Sequence, residues 1–319
     1  ESSLRQEIKD LARVYDLAYP LLLDNQELCP SKKLFTGMYT STLEIVHKVY
    51  KEAAKNLMNL GNETQIWKLV KNSAAEKAGL MIGDKIVGIN GIKIRKGKNG
   101  FDQLAKLLEE ITDANIQIKI LRNNENLTFN IVREKICNYN IAYLPNEPAI
   151  NAYADGQNIY ITRGMYRFAD DDSELSLVMA HELAHNTMKH IDKKKTNVLL
   201  GTAGGFLIDL LLSGAGVNTG GTYSDLGANL GAQAYSVGFE QEADYVAMYY
   251  LERAGIDSSN VAHFWRRMAT ENNNLSINHR TSHPTTPERF IALEKTFKEI
   301  MMKKNNGEVL KPNIESSVD

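Results

Sequence analysis

Apolar residues recur at spacings of three and four through Leu4, Ile8, Leu11, Val14, Tyr15, Ala18, Leu21 and Leu22. That period is helical, so residues 2–28 are expected to form a helix with one buried stripe, an arm able to pack on another domain. Pro30 and Gly37 punctuate it, and a second helical pattern covers residues 42–60, with His47 a structural histidine on it. From Ile66 the pattern shortens to strands at 66–70, 86–89 and 92–94, the last two joined at Asn90-Gly91, a tight-turn pair. A helix is expected over 101–111, then a hairpin of 116–121 with 127–132 around Asn123-Asn124-Glu125. Beyond Cys137 and Ile141-Ala142-Tyr143, two strands joined at Asp155-Gly156 run straight into another helix.

That helix, over 174–190, opens with a cap, Asp171 followed three residues later by Glu174, and no residue within it is expected to interrupt it. Leu177, Ala180, Ala184 and Met188 share a face with His181 and His185. In the run His181-Glu182-Leu183-Ala184-His185 the two imidazoles stand one helical turn apart, where both rings can reach one zinc ion at about 2.0–2.1 Å. Glu182 beside that ion can take a proton from water and hand it to a leaving amine, the chemistry of a zinc peptidase. The plainer reading is two histidines that share a half-buried helix by chance.

A catalytic zinc keeps three protein ligands and one open position, so a third ligand is expected from a later helix. Phe239-Glu240-Gln241-Glu242-Ala243-Asp244 begins one, with Ala243, Val246, Ala247, Tyr250, Leu251 and Ala254 as its apolar face. Glu240 falls on the stripe of Ala243, Ala247 and Leu251, whereas Glu242 lies about 200° round the helix and is expected to face solvent. Asp244, one turn after Glu240, can accept the other ring N–H of a ligand histidine and fix its tautomer. The longer motif with a third histidine on the first helix is not met, because Met188 and Ile191 stand where glycine and histidine are required. His190 is therefore read as a helix-surface residue, and His263 and His279 as structural or solvent-exposed. An open strand edge beside the metal would hold an extended peptide, with Asn151-Ala152 as the backbone-binding segment.

Composition adds bounds rather than chemistry. The 319 residues leave room for two or three domains, and 43% hydrophobic with 24% charged residues is an ordinary globular balance. A net charge of −2 gives no electrostatic ground for a nucleic-acid partner. Cys29 and Cys137 cannot form a thiolate zinc site; they are one disulfide, which implies an oxidising compartment, or two buried thiols. The chain opens at Glu1 without a methionine, from which a removed leader is expected. Residues 198–217 carry one charge, Asp209, over about the length of a membrane span. Their glycines, and an aspartate that costs about 2.5–3.5 kcal/mol at a membrane centre, favour a buried or site-covering element.

Ala78-Gly79-Leu80, Gly83-Asp84 and Asn90-Gly91 make residues 61–135 resemble a PDZ domain of the bacterial protease type. That resemblance implies an extended peptide added at a sheet edge, its terminal carboxylate held by main-chain amides; Leu60-Gly61 is the nearest candidate loop. Four further features carry a second resemblance: Asn151-Ala152 before a strand, the His-Glu-Leu-Ala-His helix, Glu240 to Asp244 as Glu-x-x-Ala-Asp, and Ser282-His283-Pro284 followed by Arg289. Together, over 140–295, they resemble the metallopeptidase family that includes HtpX and the CAAX prenyl endopeptidase, on its soluble, PDZ-containing bacterial branch.

The resemblance implies a gluzincin site, with one zinc ion per chain on His181, His185 and Glu240. It implies Glu182 as general base and acid, Asp244 supporting a ligand ring, and His283 as a donor to the oxyanion. Arg289 would orient His283 or carry charge near the oxyanion, or make a plain surface salt bridge. Membrane members of the family carry spanning helices between the histidines and the glutamate, so membrane-surface contact through 198–217 stays open. The expected architecture is α+β: an N-terminal helical segment (1–60), a PDZ-like domain (61–136) and a zincin-like metallopeptidase domain (137–319). Hydrolysis of internal peptide bonds in misfolded or unassembled envelope proteins, in a bacterial periplasm or envelope, is the expected function. The alternative is a chaperone or adaptor that binds chain ends at the PDZ-like domain, its peptidase site latched by the glycine-rich segment 201–234.

Overall fold

The computed structural model describes residues 1–193, 237–274, 283 and 286–314. The apolar stretch 198–217, the glycine-rich segment 201–234, His279, Ser282 and Pro284 lie outside the described residues. The chain divides into two compact units, Glu1–Asn138 and Tyr139–Asp319.

The first unit opens with helix α1 (Ser2–Asp24), whose stripe buries Val14, Ala18, Leu21 and Leu22. Two short strands follow, β1 (Lys32–Phe35) and β2 (Met38–Ser41), then helix α2 (Lys51–Met58) and strand β3 (Thr64–Leu69). Next come the one-turn helix α3 (Ala74–Lys77), strands β4 (Lys85–Ile89) and β5 (Ile92–Lys93), and helix α4 (Gly97–Glu110). Strands β6 (Asn115–Arg122), β7 (Glu125–Val132) and β8 (Glu134–Cys137) complete the unit. The main sheet runs β2-β3-β4-β6-β7, antiparallel throughout, with β5 on β4. Alternation makes its core: Ile116, Ile118 and Ile120 of β6 are buried between exposed Gln117 and Lys119, and pack with Ile66, Ile86, Ile89 and Leu104. The hairpin at Asn90-Gly91 forms as expected, both residues at positive φ (46° and 79°).

One expectation for this unit changes. Of the helical pattern over 42–60 only α2 and the turn before it are helical. Upstream, Leu43 N and Thr42 Oγ1 both donate to Gly61 O, at 2.9 and 3.1 Å, so sheet pairing overrides the local period. The turn that leads into edge strand β2 is Phe35-Thr36-Gly37-Met38, where Gly37 sits at φ +83° and a Cβ would lie 2.0 Å from Ser73 Cβ. Outside the main sheet, β1 pairs with β8, and a Cys29–Cys137 disulfide closes the same corner.

The second unit begins with a three-stranded sheet. Its strands are β9 (Asn140–Leu144), β10 (Ala152–Ala154) and β11 (Asn158–Thr162), ordered β10-β11-β9. β11 runs antiparallel to β10 and parallel to β9. Helix α5 (Arg163–Phe168) starts where Thr162 Oγ1 accepts from Met165 N at 3.1 Å. Helix α6 (Asp172–Thr187) is buried along its length from Glu174 to Asn186, because it packs against β10, β11 and helix α7 (Val237–Arg253) together. Helices α8 (Val261–Asn274) and α9 (Pro287–Asn305) pack on each other, α8 also on α6 and α9 also on α7. Strands segregated from helices around one core make the unit α+β.

Candidate metal centre

The cap that opens α6 forms as read: Asp171 Oδ1 accepts from Glu174 N at 2.9 Å, and Glu174 Oε2 accepts from Asp170 N at 2.7 Å. One turn of this helix brings His181 Nε2 and His185 Nε2 to 3.0 Å, both rings buried. From the first turn of α7, Glu240 places Oε1 3.3 Å from His185 Nε2 and Oε2 3.4 Å from His181 Nε2. His283 adds Nδ1, 3.3 Å from His181 Nε2 and 2.9 Å from Glu240 Oε1. Four ligand atoms thus lie within 4.8 Å of one another. Ligands at about 2.0–2.1 Å from a tetrahedral centre are about 3.3 Å apart, and these spacings fall around that value. Three imidazoles and one carboxylate are also a donor set that suits zinc. His283, which the resemblance makes an oxyanion donor, stands here at the fourth corner of the cluster, with Nε2 3.3 Å from Glu182 Oε1.

Charge balance sets the site's proton affinities. Burial pushes His181 down, but hydrogen bonds to Asp244 and Glu240 outweigh it and raise the ring to about 9. Burial holds His185 well below the ordinary histidine value. Glu240 loses solvation too, yet the surrounding histidines hold it well below the usual carboxylate range. Burial raises Glu182, the direction that suits a base which must accept a proton. Asp244 Oδ1 lies 3.0 Å from His181 Nδ1, as its spacing from Glu240 implied. Arg289 is wholly buried: Nε and Nη2 donate to Asp244 at 2.7 and 2.8 Å, Nη1 lies 2.9 Å from Glu240 Oε2, and the guanidinium sits 4.8 Å from the Trp265 ring centroid. Its surface salt-bridge reading is thereby excluded; it neutralises Glu240 and the Asp244 carboxylate behind His181.

Asn151 and Ala152 enter the site through the main chain. Thr162 N donates to Asn151 O and Asp155 N to Asn158 O, both at 3.2 Å, so Asn151, Tyr153 and Asp155 face inward to β11. By alternation Ala152 and Ala154 turn their main-chain groups to the other edge, and Ala154 N–H donates to Glu182. Asn186 clamps the turn to α6, accepting from Gly156 N at 2.8 Å and donating to Asn158 O at 3.1 Å.

The sequence profile of Peptidase family M48 matches residues 112–297, more than half of the chain. The chain belongs to peptidase family M48. A PDZ domain profile matches residues 68–122 within the first unit. The beta-barrel assembly-enhancing protease of Yersinia pestis is 31% identical over 143 residues, covering 42% of this chain and 29% of that protein. Its Escherichia coli (strain K12) counterpart is 30% identical over 135 residues, covering 40% and 27%. The mitochondrial metalloendopeptidase OMA1 of Schizosaccharomyces pombe is 23% identical over 166 residues, covering 51% and 48%. The chain spans less than a third of the length of either assembly-enhancing protease. The family-level expectation therefore holds, with these relatives rather than HtpX or the CAAX prenyl endopeptidase beside it.

One residue beside this cluster was placed wrongly from sequence. α6 does not continue to residue 190: Lys189 adopts a left-handed conformation (φ 56°), and Met188 N and Lys189 N close the helix end on Ala184 O and Asn186 O. The chain then restarts as a new helical segment from residue 190, and His190, expected on the surface, is fully buried with Nδ1 2.9 Å from His185 Nδ1. Glu242 reaches solvent as expected, its side chain 29% exposed, and also places Oε2 2.8 Å from His190 Nε2, a contact that its helix position does not announce. On an unbroken helix His190 would point about 140° away from His185. A glycine or asparagine at 189 would have signalled the break; lysine does not.

Proposed function

We propose that this chain is a zinc-dependent endopeptidase that hydrolyses internal peptide bonds, with one zinc ion held by His181, His185 and Glu240. The observation that carries this reading is the buried cluster of three imidazoles and Glu240 beside both Glu182 and the outer edge of β10. Zinc bound there would polarise the scissile carbonyl and acidify water. Glu182, raised by burial, takes the proton of the attacking water and returns it to the leaving amine. A substrate lies extended along β10, bonded to the main-chain groups of Ala152, while Asn151 secures the strand to β11. Asp244 orients His181, and Arg289 balances Asp244 and Glu240. His283, with Nδ1 2.9 Å from Glu240 Oε1 and Nε2 3.3 Å from Glu182 Oε1, would join these residues in holding zinc or would donate to the oxyanion.

The substrate class is misfolded or unassembled envelope proteins, supported by the assembly-enhancing proteases among the relatives. The Cys29–Cys137 disulfide suits an oxidising compartment such as the periplasm. Among the described residues no helix is long and apolar enough to cross a membrane. In the PDZ-like unit, β2 pairs only with β3 among the described residues, and its other edge can receive a C-terminal peptide. The adaptor reading differs in one outcome: partner binding at the PDZ-like unit would be the whole function and would survive Glu182→Gln.

The test is to incubate zinc-loaded wild-type protein and Glu182→Gln with casein and follow fragments by mass spectrometry. Wild type should cut, and the variant should keep stoichiometric zinc with a rate lower by about 10²–10⁴-fold. Equal cleavage by both would remove Glu182 from the mechanism. Stoichiometric zinc with no cleavage by either would favour the adaptor.

A further inference from the structure

His185 turns Nε2 toward the cluster, 3.0 Å from His181 Nε2 and 3.3 Å from Glu240 Oε1. An imidazole that gives its Nε2 lone pair to a metal carries its proton on Nδ1, and that N–H needs an acceptor. For His181 the acceptor is Asp244, 3.0 Å from Nδ1. For His185 it is another imidazole, His190, whose Nδ1 lies 2.9 Å away. A neutral ring accepts at Nδ1 only when its proton sits on Nε2, and His190 Nε2 lies 2.8 Å from Glu242 Oε2. The polarity runs in one direction: Glu242 accepts from His190 Nε2–H, and His190 Nδ1 accepts from His185 Nδ1–H. Packing holds the relay in place, since His190 is 0% exposed and stacks on Phe239 with centroids 4.5 Å apart and planes 13° from parallel.

We propose that His190, oriented by Glu242, is the positioning residue for the ligand His185, fixing its tautomer and aiming its Nε2 lone pair as Asp244 does for His181. The inference rests on the metal reading above. Its logic is electrostatic as well as geometric. Glu182, Glu240 and Asp244 are already buried together against one buried guanidinium, Arg289. A further carboxylate in direct contact with His185 would add an uncompensated buried charge. Interposing a neutral imidazole moves that charge outward to Glu242, whose side chain reaches solvent.

The experiment uses the full chain. Zinc affinity is measured by competition with a chromophoric chelator for wild type, His190→Leu, His190→Asn and Glu242→Ala, with circular dichroism to verify folding. In parallel, histidine ¹⁵N spectra of the zinc-loaded wild type report which ring nitrogens carry protons. His190→Leu should weaken zinc binding by about 10–100-fold. His190→Asn should recover most of it, because its amide oxygen can stand where Nδ1 stands, and Glu242→Ala should fall between wild type and His190→Leu. The spectra should show the proton on Nε2 of His190 and on Nδ1 of His185, a readout that a merely space-filling role would not dictate. A folded His190→Leu with wild-type affinity, or a proton on Nδ1 of His190, overturns the proposal. Should His190→Leu not fold, Glu242→Ala and the spectra decide. Zinc uptake by wild type with unchanged variants overturns only the relay, whereas no uptake by wild type overturns the metal reading and the relay together.

Discussion

At the scale of single residues the site is a problem of buried charge. Asp244 accepts two bonds from Arg289 and stands behind His181, all three wholly or almost wholly buried. Removing one partner of such a pair leaves an uncompensated charge. Asp244→Ala is expected to cost about 3–5 kcal/mol in denaturant unfolding of the metal-free protein, and to weaken zinc binding as well. His181 makes a second prediction. Its value of about 9 means that the metal-free protein holds a proton there at neutral pH. A raised histidine stabilises the metal-free fold fully below its ordinary value, and that stabilisation is lost as pH rises through about 9. Zinc must displace the same proton, so calorimetry in buffers of different ionisation enthalpy should show release of about one proton at pH 7–8, and affinity should rise with pH toward 9. His185, held low by burial, releases none. A release of zero protons would count against the Asp244–His181 pairing.

Helix α6 is the element that converts these residues into a site, and both of its ends matter. At its start, Asp171→Ala removes the acceptor for Glu174 N and should cost about 1 kcal/mol in thermal or denaturant unfolding. At its end the left-handed residue is Lys189, a side chain that pays for that conformation where glycine would not. Lys189→Gly should therefore keep zinc affinity and raise stability by roughly 0.5–1 kcal/mol. Lys189→Val should do the reverse and displace His190, read as a loss of zinc affinity of the same kind as in His190→Leu. Equal affinity in the valine variant would show that another part of the structure places His190.

For the molecule as a whole, the covalent tie and the metal cluster belong to different units. Cys29 and Cys137 close a loop of 108 residues around the PDZ-like sheet, whereas His181, His185, Glu240 and His283 lie in Tyr139–Asp319. Closing a loop near 100 residues is worth about 4.7 kcal/mol on the chain-entropy account. Scanning calorimetry should show a reductant lowering the transition of Glu1–Asn138 and a zinc chelator lowering that of Tyr139–Asp319. If each reagent shifts both transitions equally, the two units unfold as one.

The sequence by itself determined whatever depends on a local period. His181, Glu182 and His185 are set by one turn of α6, Glu240 and Asp244 by one turn of α7, and the isoleucines of β6 by strand alternation. Tertiary structure decided what depends on partners far along the chain. β1 and β8 are four residues each and pair Lys32 with Cys137; neither carries enough pattern to announce itself. His283 reaches the fourth corner of the cluster from 102 positions beyond His181, a closure that no spacing rule encodes. His190 shows the same limit at short range: one backbone dihedral at Lys189 turns a residue five positions from His185 back toward it. Periodicity records how an element meets its own neighbours, while the sign of that dihedral and the closure of that loop are chosen by the burial and hydrogen bonding they make possible.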